Sequence, residues 1–179
     1  MSASERSLEI STPRLLLIPL ALADLDQLHA ILTEREVRQY LLDDELVSRE
    51  WVTDEINAST AWFDAHGYGT WGIRLPQTLE LIGFCGFRYF YEPPELELYY
   101  GLSARYWGHG FATEAAAAVV EYAFNVLHFN QVYAATDAPN VASNRVLERL
   151  GMRLEGHRMH GDMPAVHYAI SKTEFEQSR

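Results

Sequence analysis

The sequence predicts one mixed α/β domain over residues 1–179, with a sheet that carries helices on both faces. Four apolar residues near the N-terminus recur at helical spacing: Leu25, Leu28, Ile31 and Leu32. Short runs rich in β-branched and aromatic residues, separated by turn residues, follow in the middle of the chain. The alanines at 115–118 are typical of a helix packed closely on a sheet.

The first elements are a strand and two helices. The strand is predicted at Arg14–Pro19, and the first helix runs from Ala23 to about Leu42. A second helix runs from Ser48 to about His66, because Ser48 is a good N-cap. Gly67 and Gly69 end it, since glycine tolerates the backbone conformation that closes a helix.

Three strands come next. Gly69–Leu75 and Leu81–Phe90 predict a hairpin with Pro76-Gln77-Thr78 in its turn. The next strand, Glu95–Leu102, is separated from them by Glu92-Pro93-Pro94. A helix to about His128, a fifth strand, a short helix and two final strands complete the order.

The composition restricts the class of protein. No stretch approaches the roughly 20 apolar residues of a membrane span, and Met1 to Arg6 lacks the apolar core of a signal peptide. A formal net charge of −11 argues against nucleic-acid binding; it suits a cationic substrate or an ordinary acidic protein. The single cysteine, Cys85, lies in an apolar run that predicts a buried thiol. We expect a cytoplasmic protein with no membrane or nucleic-acid partner.

The segment from Leu98 to Glu114 is the most informative. It predicts a strand, a turn containing Gly108 and Gly110, and the start of a long helix. The first N–H groups of a helix lack partners within it, and the helix dipole favours negative charge there. The turn is therefore a candidate anion site.

Three known phosphate-binding patterns resemble this turn to different degrees. A Walker loop needs Gly-Lys-Ser/Thr, but the turn ends in Gly110-Phe111-Ala112. A dinucleotide fingerprint needs a third small residue, and Thr113 stands in its place. The third pattern is Arg/Gln-x-x-Gly-x-Gly/Ala, present here from Arg105 to Gly110. Taken alone, these residues also suit an ordinary turn at the start of a helix.

A second segment supports the third pattern. The strand-like run Gln131–Thr136 is followed by Asp137-Ala138-Pro139-Asn140. Asn140 is a good N-cap for the next helix, and Gly151 suits its C-terminal stop. A capped two-turn helix explains these residues by themselves.

Together the two segments resemble the GNAT superfamily of N-acetyltransferases. The residues concerned are Trp107-Gly108-His109-Gly110-Phe111-Ala112-Thr113-Glu114-Ala115 and the pattern Asn-x-x-Ser-x-x-Val-Leu-Glu-Arg-Leu-Gly-Met from Asn140 to Met152. The similarity is greatest to the branch of ribosomal-protein N-terminal acetyltransferases. It extends from Thr12-Pro13-Arg14-Leu15 to the strand at His167–Ser171.

The resemblance implies a fold and a reaction. The sheet is expected to be mostly antiparallel and to splay between its fourth and fifth strands, where the pantetheine arm of acetyl-CoA inserts. The expected reaction moves an acetyl group from acetyl-CoA to a primary amine by direct attack. The acceptor is either a protein N-terminal α-amine or a small-molecule amine. Relatives are often dimers, so a homodimer is considered.

Two residues are the candidates for proton transfer. Strand alternation places Glu95, Glu97 and Tyr99 on one face, and related enzymes carry an acid near Glu97, which makes it the candidate base. A solvated position at a strand edge is the alternative for Glu97. Ser143 is the candidate proton donor to the departing thiolate, or else a first-turn hydroxyl without a catalytic role.

The resemblance also implies residues that bind acetyl-CoA. The N–H of Leu102 would hold the thioester carbonyl, and Asn140 would hydrogen-bond a pantetheine amide, with Ser143 close by. Arg105 would add charge near the phosphates or lie on the surface. The phosphate loop itself comprises Gly108, His109, Gly110, Phe111, Ala112 and Thr113.

No metal site is expected. His157, His160 and His167 lie around a hairpin turn, and histidines three apart on a strand point to opposite faces. The alternative to an enzyme is a non-catalytic module that binds or senses acyl-CoA. Such a module would keep the loop but would not need the acid and the hydroxyl.

Overall fold

A computed structural model describes residues 8–90 and 95–177. Within them the strands are β1 (Ile10–Ser11), β2 (Leu16–Pro19), β3 (Thr70–Arg74), β4 (Leu81–Tyr89), β5 (Leu96–Leu102), β6 (Gln131–Asp137), β7 (Arg153–His160) and β8 (Met163–Ser171). The α-helices are α1 (Leu25–Thr33), α2 (Arg35–Leu41), α3 (Arg49–His66), α4 (Phe111–Asn125), α5 (Val141–Arg149) and α6 (Lys172–Gln177).

The strands form one sheet in the order β1-β2-β3-β4-β5-β6-β8-β7. Neighbouring strands are antiparallel except β5 and β6, which run parallel and have a single pair in register, Glu97 with Tyr133. The sheet therefore opens between β5 and β6. The predicted splay is confirmed. The strands predicted as fourth and fifth are β5 and β6 here, because the short β1 was not predicted.

Helices cover both faces of the sheet. One apolar cluster packs Val119 of α4, Leu147 of α5 and Phe175 of α6 against strand residues such as Leu98. A second cluster packs the buried faces of α1 and α3, with Val37 of α2, against β4. The predicted layers are confirmed, and neighbouring residues of β5 face different layers.

The second predicted helix has the expected ends. The Ser48 hydroxyl accepts the Trp51 N–H at 3.0 Å, and Gly67 closes the helix with φ of +77°. The strands β3 and β4 form the predicted hairpin. Cys85 on β4 is fully buried, and burial raises the pKa of its thiol, as expected for a core cysteine.

The predicted helix from Ala23 to about Leu42 is wrong in its continuity. A single 3₁₀ turn at Leu22–Asp24 precedes α1, and the chain is extended at Glu34, with ψ of 131°, between α1 and α2. The Glu34 carboxylate accepts the Ala104 N–H at 2.8 Å. The break between α1 and α2 is therefore held by a contact with the residues that follow β5. Helical periodicity in the sequence cannot reveal such a contact.

Other boundaries also differ from those predicted. The first long strand begins at Leu16 rather than Arg14, and β1 and α6 were not predicted. The helix expected to reach His128 ends at Asn125; His128 has φ of +59°, which a helix does not allow. The predicted loop Glu92-Pro93-Pro94 and the residues Met1 to Arg6 lie outside the described residues.

None of the described helices combines the length and the apolar character that crossing a membrane requires.

Candidate active site

The loop before α4 has the geometry of an anion site. Gly108 and Gly110 have φ of +79° and +80°, in the left-handed region that favours glycine. A Cβ at Gly108 would meet nothing within 4 Å, so the backbone there is open to a ligand. Within the described chain, no backbone N–H from Gly108 to Thr113 donates to a protein acceptor. These donors and the positive end of α4 fit a pyrophosphate.

Arg14 braces this loop from the start of the sheet. Its guanidinium forms a 2.6 Å ion pair with Glu114 of α4 and donates to the His109 carbonyl at 3.0 Å. It also lies 4.8 Å from the centre of the Phe111 ring. The roles of Arg14 and Glu114 were not predicted, because a contact across 100 residues leaves no local signal in the sequence.

Two predicted loop side chains point to protein partners. Arg105 forms a salt bridge with Glu80 and lies 4.8 Å from the centre of the Tyr106 ring. His109 stacks on Phe111, with ring centres 5.7 Å apart. The Arg105 charge is thus shared with Glu80, and Arg14 is a second cation beside the glycines.

The predicted donor at Leu102 faces the opening of the sheet. The Ser103 N–H donates to the Ile82 carbonyl at 2.9 Å, so Ser103 belongs to the hydrogen-bonded pairs of the β4–β5 ladder. These pairs alternate, so the N–H of Leu102 points away from β4 and toward the diverging β6. The Leu102 carbonyl accepts the Trp107 indole N–H at 2.8 Å, which secures the end of the strand.

Glu97 lies at the closed end of this opening. Its side chain is buried, with 3% exposure, so the alternative of a solvated strand edge is wrong. Burial and then the nearby Glu95 raise the pKa of Glu97 to about 7, although its carboxylate accepts the Ala135 N–H and lies near Arg158. A carboxyl group with this pKa can act as a base near neutral pH.

We expect the raised pKa of Glu97 to affect stability as well. The folded carboxyl binds its proton more tightly than the unfolded one, so stability falls as pH rises from about 4.5 to about 7. Because glutamine does not titrate, Glu97→Gln should gain stability relative to the parent over this interval, on the order of 3 kcal/mol. Denaturant unfolding at pH 4 and pH 8 measures the difference. An equal effect of the substitution at both pH values would contradict the raised pKa.

Further ionisable groups surround Glu97 on the same face. The ligand atoms of Glu95, Glu97 and His167 lie within 4.8 Å of one another, and Nε2 of His167 is 2.8 Å from Nε2 of His160. Burial, then Arg158 and His160, lower the pKa of His167 to about 4, so its ring is neutral at pH 7. Strand alternation already places Glu95 and Glu97 on one face, but the approach of His167 and its contact with His160 were not predicted. Glu95, Glu97 and His167 could hold a cation, but Glu97 would then be occupied and unable to act as a base.

Ser143 lies in the first turn of α5 and is held there by two contacts. Its N–H donates to the Asn140 side-chain oxygen at 3.1 Å, which confirms Asn140 as the N-cap. Its hydroxyl is 2.8 Å from the hydroxyl of Tyr100. Burial raises the pKa of Tyr100, which is therefore a neutral hydroxyl at pH 7. The contact of Tyr100 with Ser143 was not predicted, although strand alternation places Tyr100 on the face opposite Glu97.

The structure thus brings the predicted residues to one opening in the sheet. Glu97 lies on the face covered by α1 to α3, Ser143 and Tyr100 lie on the other face, and the Leu102 N–H lies between. The Tyr168 hydroxyl donates to the Asn144 side-chain oxygen at 2.9 Å.

Comparisons with known proteins agree with this geometry. Residues 14–153 match the family model described as "Acetyltransferase (GNAT) domain". The uncharacterized N-acetyltransferase YoaA of Bacillus subtilis is 30% identical over 148 residues, which is 82% of this chain and 84% of that protein.

Solved structures show the same fold. An acetyltransferase from Agrobacterium tumefaciens superposes with a TM-score of 0.81 and 25% identity, covering 96% of this chain and 98% of the other. The ribosomal L7/L12 α-N-protein acetyltransferase RimL, in complex with coenzyme A, superposes with a TM-score of 0.78 at 18% identity. That match covers 91% of this chain and 97% of RimL.

Proposed function

The chain belongs to the GNAT family of N-acetyltransferases, and from this premise we propose that it transfers an acetyl group from acetyl-CoA to a primary amine. The reaction is direct attack of the amine within a ternary complex. One observation carries the proposal: a buried carboxyl group and a hydroxyl pair lie on opposite faces of β5, beside the opening of the sheet. The amine and the departing thiolate need proton transfer at two such separate places.

Two parts of the site would bind acetyl-CoA: the loop before α4 and the opening of the sheet between β5 and β6. The N–H groups at Gly108 to Thr113 and the guanidinium of Arg14 suit the pyrophosphate. The side-chain N–H of Asn140 suits a pantetheine amide, since its oxygen already caps α5. Acetyl-CoA supplies the acetyl group as a thioester when bound.

Three groups of the chain perform the chemistry. Glu97 accepts the proton of the attacking amine, directly or through one water molecule. The N–H of Leu102 donates to the carbonyl oxygen, where negative charge develops as the amine attacks. The Ser143 hydroxyl donates its proton to the departing sulfur, and Tyr100, at 2.8 Å, can replace that proton.

The identity of the acceptor is a separate part of the proposal. RimL, as its name states, acetylates the α-amine of a ribosomal protein, and this chain has the same fold. That likeness supports a protein N-terminus, whereas the groove described below suits a small amine equally well. We place the enzyme in the cytoplasm and treat residues 1–179 as one catalytic domain.

The reaction is tested by release of free thiol from acetyl-CoA over a panel of amines and N-terminal peptides, with acetyl-CoA binding measured by calorimetry. Turnover with any acceptor supports the proposal. Tight binding without turnover over a broad panel would favour a sensing module. Absence of binding would overturn the assignment of the phosphate loop.

For Ser143→Ala we expect turnover to fall by roughly 10- to 1,000-fold, because the thiolate loses its proton donor. The affinity for acetyl-CoA should stay within about threefold of the parent, since the Ser143 N–H still donates to the Asn140 side chain that caps α5. Tyr100→Phe is the matched variant: it removes only the second hydroxyl and should have a smaller effect. Full activity of Ser143→Ala would show that the hydroxyl has only a structural role.

A further inference from the structure

An apolar groove lies between the helices α1 to α3 and the sheet, on the face of β5 that carries Glu97 and Tyr99. It is partly open to solvent, and most of its lining is aliphatic or aromatic. The residues that matter here are Leu28, Leu32, Leu42, Trp51, Phe84 and Tyr99. Such a concave, mostly apolar site is typical of small-ligand binding.

The polar side chains of the groove already have partners. Arg88 forms two hydrogen bonds with the Glu55 carboxylate, at 2.5 and 3.2 Å. The hydroxyl of Thr70 is hydrogen-bonded to that of Tyr99. The carboxylate in the groove is therefore neutralised by an arginine, which leaves little attraction for a second positive charge on a ligand.

Tyr99 connects this groove to the candidate base. Glu97 and Tyr99 are two positions apart on β5, so their side chains leave the same face about 7 Å apart along the strand. An amine held at Glu97 can therefore extend its substituent over Tyr99 into the groove. A second carboxylate, Glu95, lies close to Glu97 at the amine end.

We infer that the acceptor is a primary amine with an unbranched or aromatic apolar substituent, which the groove binds, and that polyamines are poor acceptors. The inference rests on the proposed function and names the substrate class of that site. The same chemistry is offered by free alkyl- and arylalkylamines and by peptides with an apolar first residue. Both kinds of compound belong in the test.

The first test is a chain-length series from ethylamine to pentylamine. Each added methylene that enters the groove should raise kcat/KM about fourfold, so pentylamine should exceed ethylamine roughly 50-fold. 1,5-Diaminopentane has the same length but ends in a second ammonium, and it should fall below pentylamine by at least tenfold. Phenylethylamine and phenylalanyl-glycinamide then distinguish a free amine from a peptide N-terminus.

A specificity switch tests the role of the ion pair. Arg88→Met leaves the Glu55 carboxylate unpaired in the groove, so the preference for pentylamine over 1,5-diaminopentane should fall at least tenfold. The double variant Glu55→Gln with Arg88→Met removes that carboxylate and should restore the preference. Recovery in the double variant separates the electrostatic effect from loss of folding, because it keeps the same change at Arg88.

A second pair of variants tests the location. Leu42 lines the groove and is half-buried, whereas Leu46, four residues on, is outside the lining and 70% exposed. Leu42→Asp should lower kcat/KM for pentylamine at least tenfold and for ethylamine less than threefold. Leu46→Asp should leave both values within twofold of the parent.

Failure of this inference and failure of the proposed function give different results. Acetylation of all amines without a chain-length effect would overturn the apolar groove and leave the reaction intact. If no amine is acetylated, the proposed function fails, and calorimetric binding of pentylamine against ethylamine still decides on the groove. Equal affinity for the two amines would overturn it.

Discussion

Gly110→Glu is expected to weaken acetyl-CoA binding at least 100-fold. The substitution puts a carboxylate at the N-cap of α4, where the unpaired N–H groups and the helix dipole favour the negative charge of the ligand. Two like charges about 4 Å apart near a protein surface repel by about 4 kcal/mol, which exceeds this loss of affinity. Calorimetric titration with acetyl-CoA measures the change directly.

Two variants separate charge from shape at Gly110. Gly110→Gln has the same size as the glutamate without its charge, and Gly110→Ala tests only the φ of +80°, which costs an L-residue about 1 kcal/mol. Affinity should decrease in the order Ala, Gln, Glu, and the gap between Gln and Glu should shrink at high salt. Equal affinities of the parent and Gly110→Glu would exclude this loop as the phosphate site.

Glu97→Gln is expected to lower kcat/KM by roughly 100- to 10,000-fold, because it removes the general base. In the parent, the active form is the carboxylate, so kcat/KM should rise about tenfold per pH unit below about 7 and level off above it. An alkylamine acceptor, with a pKa near 10 as for lysine, keeps its own titration separate. In the variant, kcat/KM should no longer show this rise toward pH 7. The pH profile of kcat/KM is the measurement.

Glu95→Gln is the matched control for this prediction. Glu95 lies two residues away on the same strand, and its charge is one cause of the raised pKa of Glu97. Its removal should move the rise in kcat/KM to lower pH while the plateau stays within about threefold of the parent. If Glu97→Gln keeps the full rate and the same rise, the base is another group.

Much of the fold could be predicted because its signals are local. Ser48 and Gly67 mark the ends of α3 through their own hydrogen-bonding and backbone preferences. Asn140 caps α5 for the same reason. The break at Glu34 was missed because its cause is a hydrogen bond to Ala104, 70 residues away.

In the candidate site, too, the features with a local sequence signal could be predicted and those that depend on tertiary contacts could not. The glycines of the phosphate loop could be recognised from their spacing, and Glu97 from the resemblance to the family together with its face of the strand. Neither spacing nor alternation shows that Glu97 is buried, that His167 approaches it, or that Arg88 neutralises Glu55 in the groove. Each of these properties depends on contacts between separate elements.

The sequence by itself determined the family, the order of elements and the anion-binding loop. Contiguous residues encode these features, since a glycine's φ or a cap's hydrogen bond needs only its near neighbours. Only the tertiary structure decided the pKa of Glu97, the pairing of Ser143 with Tyr100, and the bracing of the loop by Arg14. The physical reason is that desolvation, charge and hydrogen bonding act through space, between residues that are distant along the chain.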